Sequence, residues 1–270
     1  MQTSLNNPTI DSNLNLPFYQ PVGREIEVFE EAFKAKMPLL LKGPTGSGKT
    51  RFVEHMAAKL GQKLYTVSCH EETSAVDLLG RYLVKGHETV WQDGLLTKAA
   101  REGAIIYLDE IAEARPDTLV AIHALTDHRR TLFVERRNES IEAPDNFMLV
   151  ASYNPGYQRG LKELKPSTRQ RFVAMTLDYA PALVEHQIIL KESEATDEQV
   201  KGLITIGQKI RNLKELGLAE SASTRLLIDA AKLMAQGLPE RLACHVGITE
   251  PLTDDDETQK VLEDLIAAVF

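Results

Sequence analysis

The chain has 270 residues, of which 43% are hydrophobic and 26% charged, a balance typical of a globular protein with a sizeable core. This composition excludes collagen-like, disulfide-framework and wholly disordered chains. The formal net charge of −8 gives a nucleic-acid backbone little attraction, so we expect no nucleic-acid partner. A basic cluster within residues 129–137 keeps a DNA-acting protein as an alternative.

No window approaches the roughly 20 uninterrupted apolar residues of a membrane helix, and the N-terminus lacks an apolar signal core. We therefore expect a cytoplasmic protein without membrane insertion. The two cysteines, Cys69 and Cys244, lie far apart without the spacing of a zinc or redox motif. Both are most simply small buried side chains.

Segment 1–16 is rich in Asn, Ser and Thr and predicts a flexible N-terminal arm. From Pro17 onward, short apolar runs alternate with amphipathic stretches, which is typical of a parallel sheet covered by helices. The sequence thus predicts an α/β domain over residues 17–180. The predicted strands, each buried on both faces, are 38–41, 64–67, 104–108, 147–152 and 172–177, and the clearest helices are 51–60 and 117–125.

Two segments interrupt the α/β pattern with hairpin signals and are expected to project outward. One spans 82–91 with its turn at Lys85 and Gly86, and the other spans 131–143 with its turn at Arg137 and Asn138. After Asp178 the strand signals stop. The rest of the chain predicts a small all-helical domain over 181–270, with helices at 181–191, 197–213, 223–235 and 258–270.

A phosphate-binding loop lies between the first predicted strand and the helix that follows it. The sequence GPTGSGKT fits GxxxxGK[ST], whose glycines let backbone N–H groups face phosphate oxygens at a helix N-terminus. Lys49 can reach the β and γ phosphates of ATP, and the Thr50 hydroxyl can join the Mg²⁺ shell. Alone, the motif predicts nucleotide binding and not hydrolysis. The loop residues predicted to contact nucleotide are Gly43, Pro44, Thr45, Gly46, Ser47, Gly48, Lys49 and Thr50.

The sequence AIIYLDE predicts a strand that ends in two adjacent carboxylates. Asp109 can hold Mg²⁺, generally through water, and Glu110 can orient and deprotonate an attacking water molecule. The alternative is an acidic strand end that simply faces solvent. The phosphate loop earlier in the chain favours hydrolysis over that alternative.

Three further polar positions are candidates for the same site. Asn154 follows the strand in MLVASYNP, where its amide can position the lytic water, although it can equally cap the turn before Pro155. Arg169, Arg171 and Arg225 offer fixed donors that can neutralise charge on a phosphoryl group. Composition alone favours ordinary ion pairs for these arginines. If one of them came from a neighbouring subunit, hydrolysis would depend on assembly.

In this order along the chain, the motifs resemble those of an AAA+ ATPase. The insert after the second strand and the hairpin before the Asn154 strand look like the helix-2 insert and pre-sensor-1 hairpin of the MoxR group. Longer segments are similar to signatures of the CbbQ/NorQ branch: LLLKGPTGSGKTRFVEHMA, DLLGRYLVKGHETVWQDGLLTKAAREG, YLDEIAEARPDT, SYNPGYQ, LKPSTRQRF and ASTRLLIDAAKLMAQGL.

The resemblance implies roles for individual residues. Lys49 and Thr50 would form Walker A, and Asp109 and Glu110 Walker B. Asn154 would be sensor 1 and Arg225 sensor 2, while Arg171 together with Arg169 would supply the arginine finger. The implied fold is a P-loop core with a five-stranded parallel sheet and a small helical lid, and the implied cofactors are ATP and Mg²⁺.

The resemblance also implies a hexameric ring that works with a partner carrying a von Willebrand factor A (VWA) domain. CbbQ-type members act with CbbO as Rubisco activases, which release inhibitory sugar phosphates, and this is the function that we expect first. NorQ-type members act with NorD to mature nitric oxide reductase, and the motifs above are shared by both types. A third hypothesis is a nucleotide-gated ring scaffold with little motor activity.

Overall fold

The computed structural model describes residues 16–155, 164–213, 218 and 220–270. The predicted N-terminal arm therefore lies outside the described residues, except for Leu16. Within the described residues, no helix has the length and apolar character needed to cross a bilayer.

The strands, in chain order, are β1 (Leu39–Lys42), β2 (Leu64–Ser68), β3 (Gly80–Lys85), β4 (Glu88–Asp93), β5 (Ile105–Asp109), β6 (Thr131–Val134), β7 (Glu139–Glu142), β8 (Met148–Tyr153) and β9 (Val173–Thr176). The helices are α1 (Glu25–Lys34), α2 (Lys49–Lys59), α3 (Ala75–Leu79), α4 (Leu95–Glu102), α5 (Pro116–His123), α6 (Pro166–Arg169), α7 (Ala182–Glu192), α8 (Asp197–Asn212), α9 (Thr224–Ala235), α10 (Glu240–Cys244), α11 (Glu250–Leu252) and α12 (Asp256–Ala267).

A five-stranded sheet of order β2-β5-β8-β1-β9 forms the centre of the molecule, and its neighbouring strands pair in parallel. The five predicted strands are confirmed, with each bound within one residue of its predicted position. Because β1, β5 and β8 are adjacent and parallel, the segments that follow them leave the sheet at one edge. This arrangement brings the phosphate loop, Asp109 and Asn154 to the same place.

Successive side chains of the central strands enter two different cores. Leu40, Ile106 and Leu108 pack in the core that also contains α4 and both hairpins, whereas Leu39 and Ile105 pack with α1 and α2. The prediction that every strand is buried on both faces is wrong for β2 and β9, which alternate between half-buried and exposed positions. These two are the edge strands, and an edge strand is covered less completely than a central one.

Both predicted hairpins are confirmed as two-stranded antiparallel ribbons. In the first, Lys85 pairs with Glu88, so Gly86 and His87 form the turn, and Gly86 has a φ of +64°. In the second, a 3₁₀ turn joins β6 to β7 and ends at Asn138, whose φ is +48°.

The helices from α7 onward enclose an apolar core of their own, with Ile189, Leu203, Leu227 and Leu262 fully buried. The four predicted helices are present, but a further helical stretch, from α10 through a π-helical turn at His245–Thr249 to α11, was not predicted. The sequence pattern does not indicate this stretch, because Gly247 and Pro251 both disfavour a regular helix. A side chain at Gly247 would meet Ala230 at 3.1 Å, so glycine lets this helix approach α9. The domain boundary at residues 180/181 stays a prediction.

Candidate active site

The phosphate loop runs from the end of β1 into α2, and two of its glycines are required by close contacts. A Cβ at Gly43 would lie 1.9 Å from the carbonyl oxygen of Leu177. A Cβ at Gly46, where φ is +69°, would lie 2.5 Å from the Cβ of Ser223. No other residue fits at these positions without moving the backbone. The loop therefore packs directly against the residue that follows β9 on one side and against the start of α9 on the other.

Lys49, the first residue of α2, turns back over the loop. Its ammonium group donates hydrogen bonds to the carbonyl oxygens of Gly43 at 2.9 Å and Pro44 at 2.8 Å. Burial lowers the pKa of Lys49, and the nearby carboxylates of Asp109 and Glu110 oppose this shift. The two hydrogen bonds anchor the Lys49 side chain over the loop.

Hydroxyl groups hold the carboxylate of Asp109 in place. Tyr107 donates to Oδ1 at 2.7 Å, Ser152 donates to the same oxygen, and Thr50 donates to Oδ2 at 3.2 Å. Tyr107 and Asp109 share one face of β5 because they are two residues apart. The carboxylate consequently faces α2, next to the Thr50 hydroxyl.

Glu110 directly follows β5 in a left-handed conformation, with φ of +54°, which is uncommon for a residue other than glycine. Its backbone N–H donates to the Ser152 hydroxyl at 3.1 Å, which helps to fix this turn. Burial raises the pKa of Glu110, and the neighbouring Asp109 raises it further. A carboxylate with a raised pKa is a better proton acceptor than an ordinary glutamate.

A cavity of about 950 Å³ collects most of the residues predicted from the sequence. Its walls also include segment 18–25, residues 175–180, and side chains of α7 and α9, so both the sheet and the helical region enclose it. Gly43 and Pro44 do not line it but provide the carbonyl groups that anchor Lys49. The predicted residues that line the cavity are Thr45, Gly46, Ser47, Gly48, Lys49, Thr50, Asp109, Glu110, Asn154 and Arg225.

Arg169 and Arg171 are not brought into this cavity. Arg169 is exposed at the end of α6. Arg171 is half-buried; its Nη1 donates to the carbonyl oxygen of His123 at 3.4 Å and lies 3.5 Å from the Asp127 carboxylate. The site within one chain therefore does not contain the predicted arginine finger.

Sequence reasoning missed several residues of the site. Ser152 and Tyr107 hold Asp109. The signals that could have found them are the position of Tyr107 two residues before Asp109 on β5 and the position of Ser152 near the end of a neighbouring strand. Tyr179 lines the cavity and donates from its hydroxyl to the carbonyl oxygen of Thr45 at 3.3 Å. Nothing in the pattern around Tyr179 indicated this contact, because the partners are 134 positions apart.

Most arginines of the basic cluster at 129–137 contact groups within the chain. Arg129 pairs with Asp127 at 2.6 Å, and Arg137 pairs with Glu139 at 3.3 Å. Arg130 donates to three backbone carbonyl oxygens, of Lys36, Pro144 and Phe147. The cluster is therefore not a free basic surface, and the DNA-acting alternative loses its main support.

Comparison with known proteins places this site in a family. Residues 38–172 match the AAA domain of the dynein-related subfamily, and residues 185–269 match the CbbQ/NirQ/NorQ C-terminal family. Protein NorQ of Paracoccus denitrificans is 56% identical over 257 residues, which cover 95% of each chain. The chain belongs to the CbbQ/NirQ/NorQ family of AAA ATPases. The MoxR-type resemblance drawn from the motifs is thereby confirmed.

Other members of the CbbQ/NirQ/NorQ family are almost as similar. NirQ of Stutzerimonas stutzeri, named a denitrification regulatory protein, is 51% identical over 97% of this chain and 96% of its own length. CbbQ of Hydrogenophilus thermoluteolus is 49% identical over 94% of this chain and 95% of its own length.

Solved structures support the AAA fold of this family member. A mutant RuvB from Thermotoga maritima matches with a TM-score of 0.54 and 15% identity, covering 90% of this chain and 69% of that one. An ATPase from Cytophaga hutchinsonii matches with a TM-score of 0.50 and 17% identity over 91% and 89% of the two chains. Its AAA domain and its membership of this ATPase family make the chain an ATP hydrolase.

Proposed function

We propose that this protein couples ATP hydrolysis to the remodelling of a protein client in the cytoplasm. One observation carries the proposal. Lys49, Asp109 and Glu110, on the sheet side, and Arg225, on the helical side, line a single cavity. A nucleotide bound there would contact both parts of the chain, so a change in its phosphates can move one part against the other.

The roles that we propose follow from the placement of each group. Lys49 neutralises charge on the β and γ phosphates, and Asn154 positions the attacking water. Glu110 accepts the proton of that water, for which its raised pKa suits it. Arg225, the second residue of α9, reaches the phosphates from the helical side.

Mg²⁺ is the metal that this donor set fits. The Thr50 hydroxyl and Asp109 carboxylate lie 3.2 Å apart, and small divalent cations prefer such oxygen ligands together with water and phosphate. Bound Mg²⁺ would supply charge neutralisation on the phosphates. Thr50 and Asp109 would hold it, the latter generally through water.

We further propose a homo-oligomer, as the family resemblance implies, in the form of a hexameric ring. Arg169 and Arg171 lie outside the cavity of their own chain, which fits a role at a neighbouring subunit. The hydrolysis site would then be complete only at an interface between two chains, and turnover would depend on assembly.

For the client, the relatives favour the denitrification branch. NorQ and NirQ proteins are 51–56% identical to this chain, whereas CbbQ is 49% identical. We therefore propose a NorQ-type function, in which the protein and a NorD-type VWA partner mature nitric oxide reductase. The difference in identity is small, so a Rubisco activase with a CbbO-type partner, the function expected first from the motifs, is the second candidate.

The test supplies the protein with a NorD-type or a CbbO-type VWA partner and compares two clients. Nitric oxide reductase activity in cells that lack the chromosomal copy should return with the wild type and not with Glu110→Gln. Recovery of sugar-phosphate-inhibited Rubisco by the wild type, without rescue of nitric oxide reductase, would instead establish the CbbQ-type function.

A ring scaffold makes a different prediction in the same assay. A scaffold would rescue the client with Glu110→Gln as well as with the wild type, because only nucleotide binding is needed. Its ATP turnover would also not accelerate when partner and client are added. Rescue of the client by Glu110→Gln would therefore reject the motor hypothesis in favour of the scaffold hypothesis.

A further inference from the structure

An ion pair in the helical region is buried far more deeply than an ordinary surface pair. Glu185 of α7 is fully buried, and the side chain of Arg211, near the end of α8, is 15% exposed. The guanidinium donates to both carboxylate oxygens, Nη1 to Oε2 at 2.8 Å and Nη2 to Oε1 at 2.7 Å. Burying two charges is costly even when they pair well, so such a pair is weak evidence of a purely stabilising role.

The pair holds the beginning of α9 from two sides. Arg211 Nε donates to the carbonyl oxygen of Ala222 at 2.8 Å, and the Thr224 hydroxyl donates to Glu185 Oε1 at 2.6 Å. Ala222 and Thr224 flank Ser223, whose hydroxyl caps α9 by accepting from the backbone N–H of Leu226. The next residue after Thr224 is Arg225. The Glu185–Arg211 pair therefore holds the residues directly before Arg225.

Arg211 is also linked to the phosphate loop, through Tyr179. Its guanidinium lies over the ring of Tyr179, 4.3 Å from the ring centroid. The Tyr179 hydroxyl donates to the carbonyl oxygen of Thr45. Burial raises the pKa of Tyr179 to about 12, which keeps this hydroxyl protonated and able to donate.

A second contact links the same two regions. The Cβ of Ser223 approaches the loop so closely that only glycine fits at position 46. The loop and the start of α9 thus meet at Gly46 and Ser223, and they are joined by the path through Tyr179 and Arg211.

We propose that Arg211 is a positioning residue for the ATPase site, which sets the start of α9 against the phosphate loop and so aims Arg225 at the terminal phosphate. The inference rests on the proposed role of Arg225. Its consequence concerns nucleotide discrimination, because only ATP has the phosphate that Arg225 would contact. If the pair merely stabilised the helical region, breaking it would weaken the binding of ATP and of ADP equally.

The test compares binding of fluorescent ATP and ADP analogues by the full chain, together with its melting temperature. Arg211→Lys keeps the positive charge but loses the planar fork that holds Glu185 and Ala222 at once. Arg130→Lys is the matched control, because Arg130 also donates to several backbone carbonyls but does not line the cavity.

We expect Arg211→Lys to weaken ATP-analogue binding about tenfold while ADP-analogue binding stays within about twofold, as for Arg225→Ala. The double variant should bind ATP no more weakly than Arg225→Ala alone, because the two residues act on one contact. Equal weakening for both nucleotides, no weakening, or losses that multiply in the double variant would overturn the proposal.

Thr224→Val provides a milder test if Arg211→Lys fails to fold. It is nearly isosteric and removes only the hydroxyl that donates to Glu185, so we expect a loss of ATP preference of about threefold. An unchanged ATP preference in this variant would contradict the proposal. These measurements require nucleotide binding but not hydrolysis. If the protein showed no ATPase activity, the proposed function would be refuted, whereas the binding data would still decide the role of Arg211.

Discussion

The hydroxyl of Ser152 donates a hydrogen bond to the carboxylate of Asp109, which joins the end of β8 to the end of β5. The same hydroxyl accepts from the backbone N–H of Glu110, in the left-handed turn that follows β5. One side chain on a neighbouring strand thus orients both acidic residues. Sheet pairing makes this possible because β5 and β8 are adjacent and parallel.

Replacing Ser152 with alanine should slow ATP turnover without removing any proposed catalytic group. The Glu110 N–H would lose its partner, so we expect about tenfold lower kcat and about 1–2 kcal/mol lower stability. Steady-state kinetics and chemical denaturation measure these two quantities. Ser140→Ala, at an exposed position of β7, is the control. Unchanged kcat in Ser152→Ala would show that the turn holds Glu110 without this contact.

The pH dependence of kcat/KM should report the raised pKa of Glu110. The proposed base acts only when deprotonated, so activity falls as the pH drops through this pKa. Because burial and Asp109 raise the pKa, the acid limb should lie above the value of about 4.3 for an unperturbed glutamate. Circular dichroism over the same range separates titration from unfolding. A limb at or below the ordinary value would contradict the assignment of Glu110 as the base.

Two inactive variants should restore activity to each other if Arg171 acts at a neighbouring subunit. Glu110→Gln lacks the base, and Arg171→Ala lacks the arginine, so a mixed ring contains some interfaces with both groups intact. Random mixing in equal amounts gives about a quarter of interfaces of this kind. We expect ATPase activity approaching that fraction of the wild type. Activity no higher than the sum of the separate variants would place Arg171 outside the site.

We expect the fluorescence of Trp91, the single tryptophan of the chain, to depend on the contact between the two hairpins. Trp91 packs edge-on against Tyr82, and the Arg137 guanidinium lies 5.9 Å from its ring centroid. Arg137→Ala removes this cover, so acrylamide quenching of the fluorescence should rise by about 1.5-fold. Arg136→Ala is the matched control, since the Tyr82 hydroxyl donates to the backbone carbonyl oxygen of Arg136, which the substitution keeps. Equal quenching in both variants would mean that the hairpins are not coupled through Trp91.

The sequence by itself determined the sheet, the phosphate loop and the acidic pair. These features depend on local patterns: a buried strand is a continuous apolar run, and GxxxxGK[ST] needs its glycines and lysine at fixed spacing. The same locality explains the failures. The helical stretch at 240–252 was missed because Gly247 and Pro251 break the local pattern, although packing against Ala230 stabilises it.

Only the tertiary structure decided which distant residues complete the site. Ser152 reaches Asp109, and Tyr179 reaches Thr45, across 43 and 134 positions of the chain. It also decided that Arg129, Arg130 and Arg137 bind internal partners and that Arg211 holds the start of α9. No local pattern encodes such contacts, because each depends on strand order and helix packing that bring remote segments together.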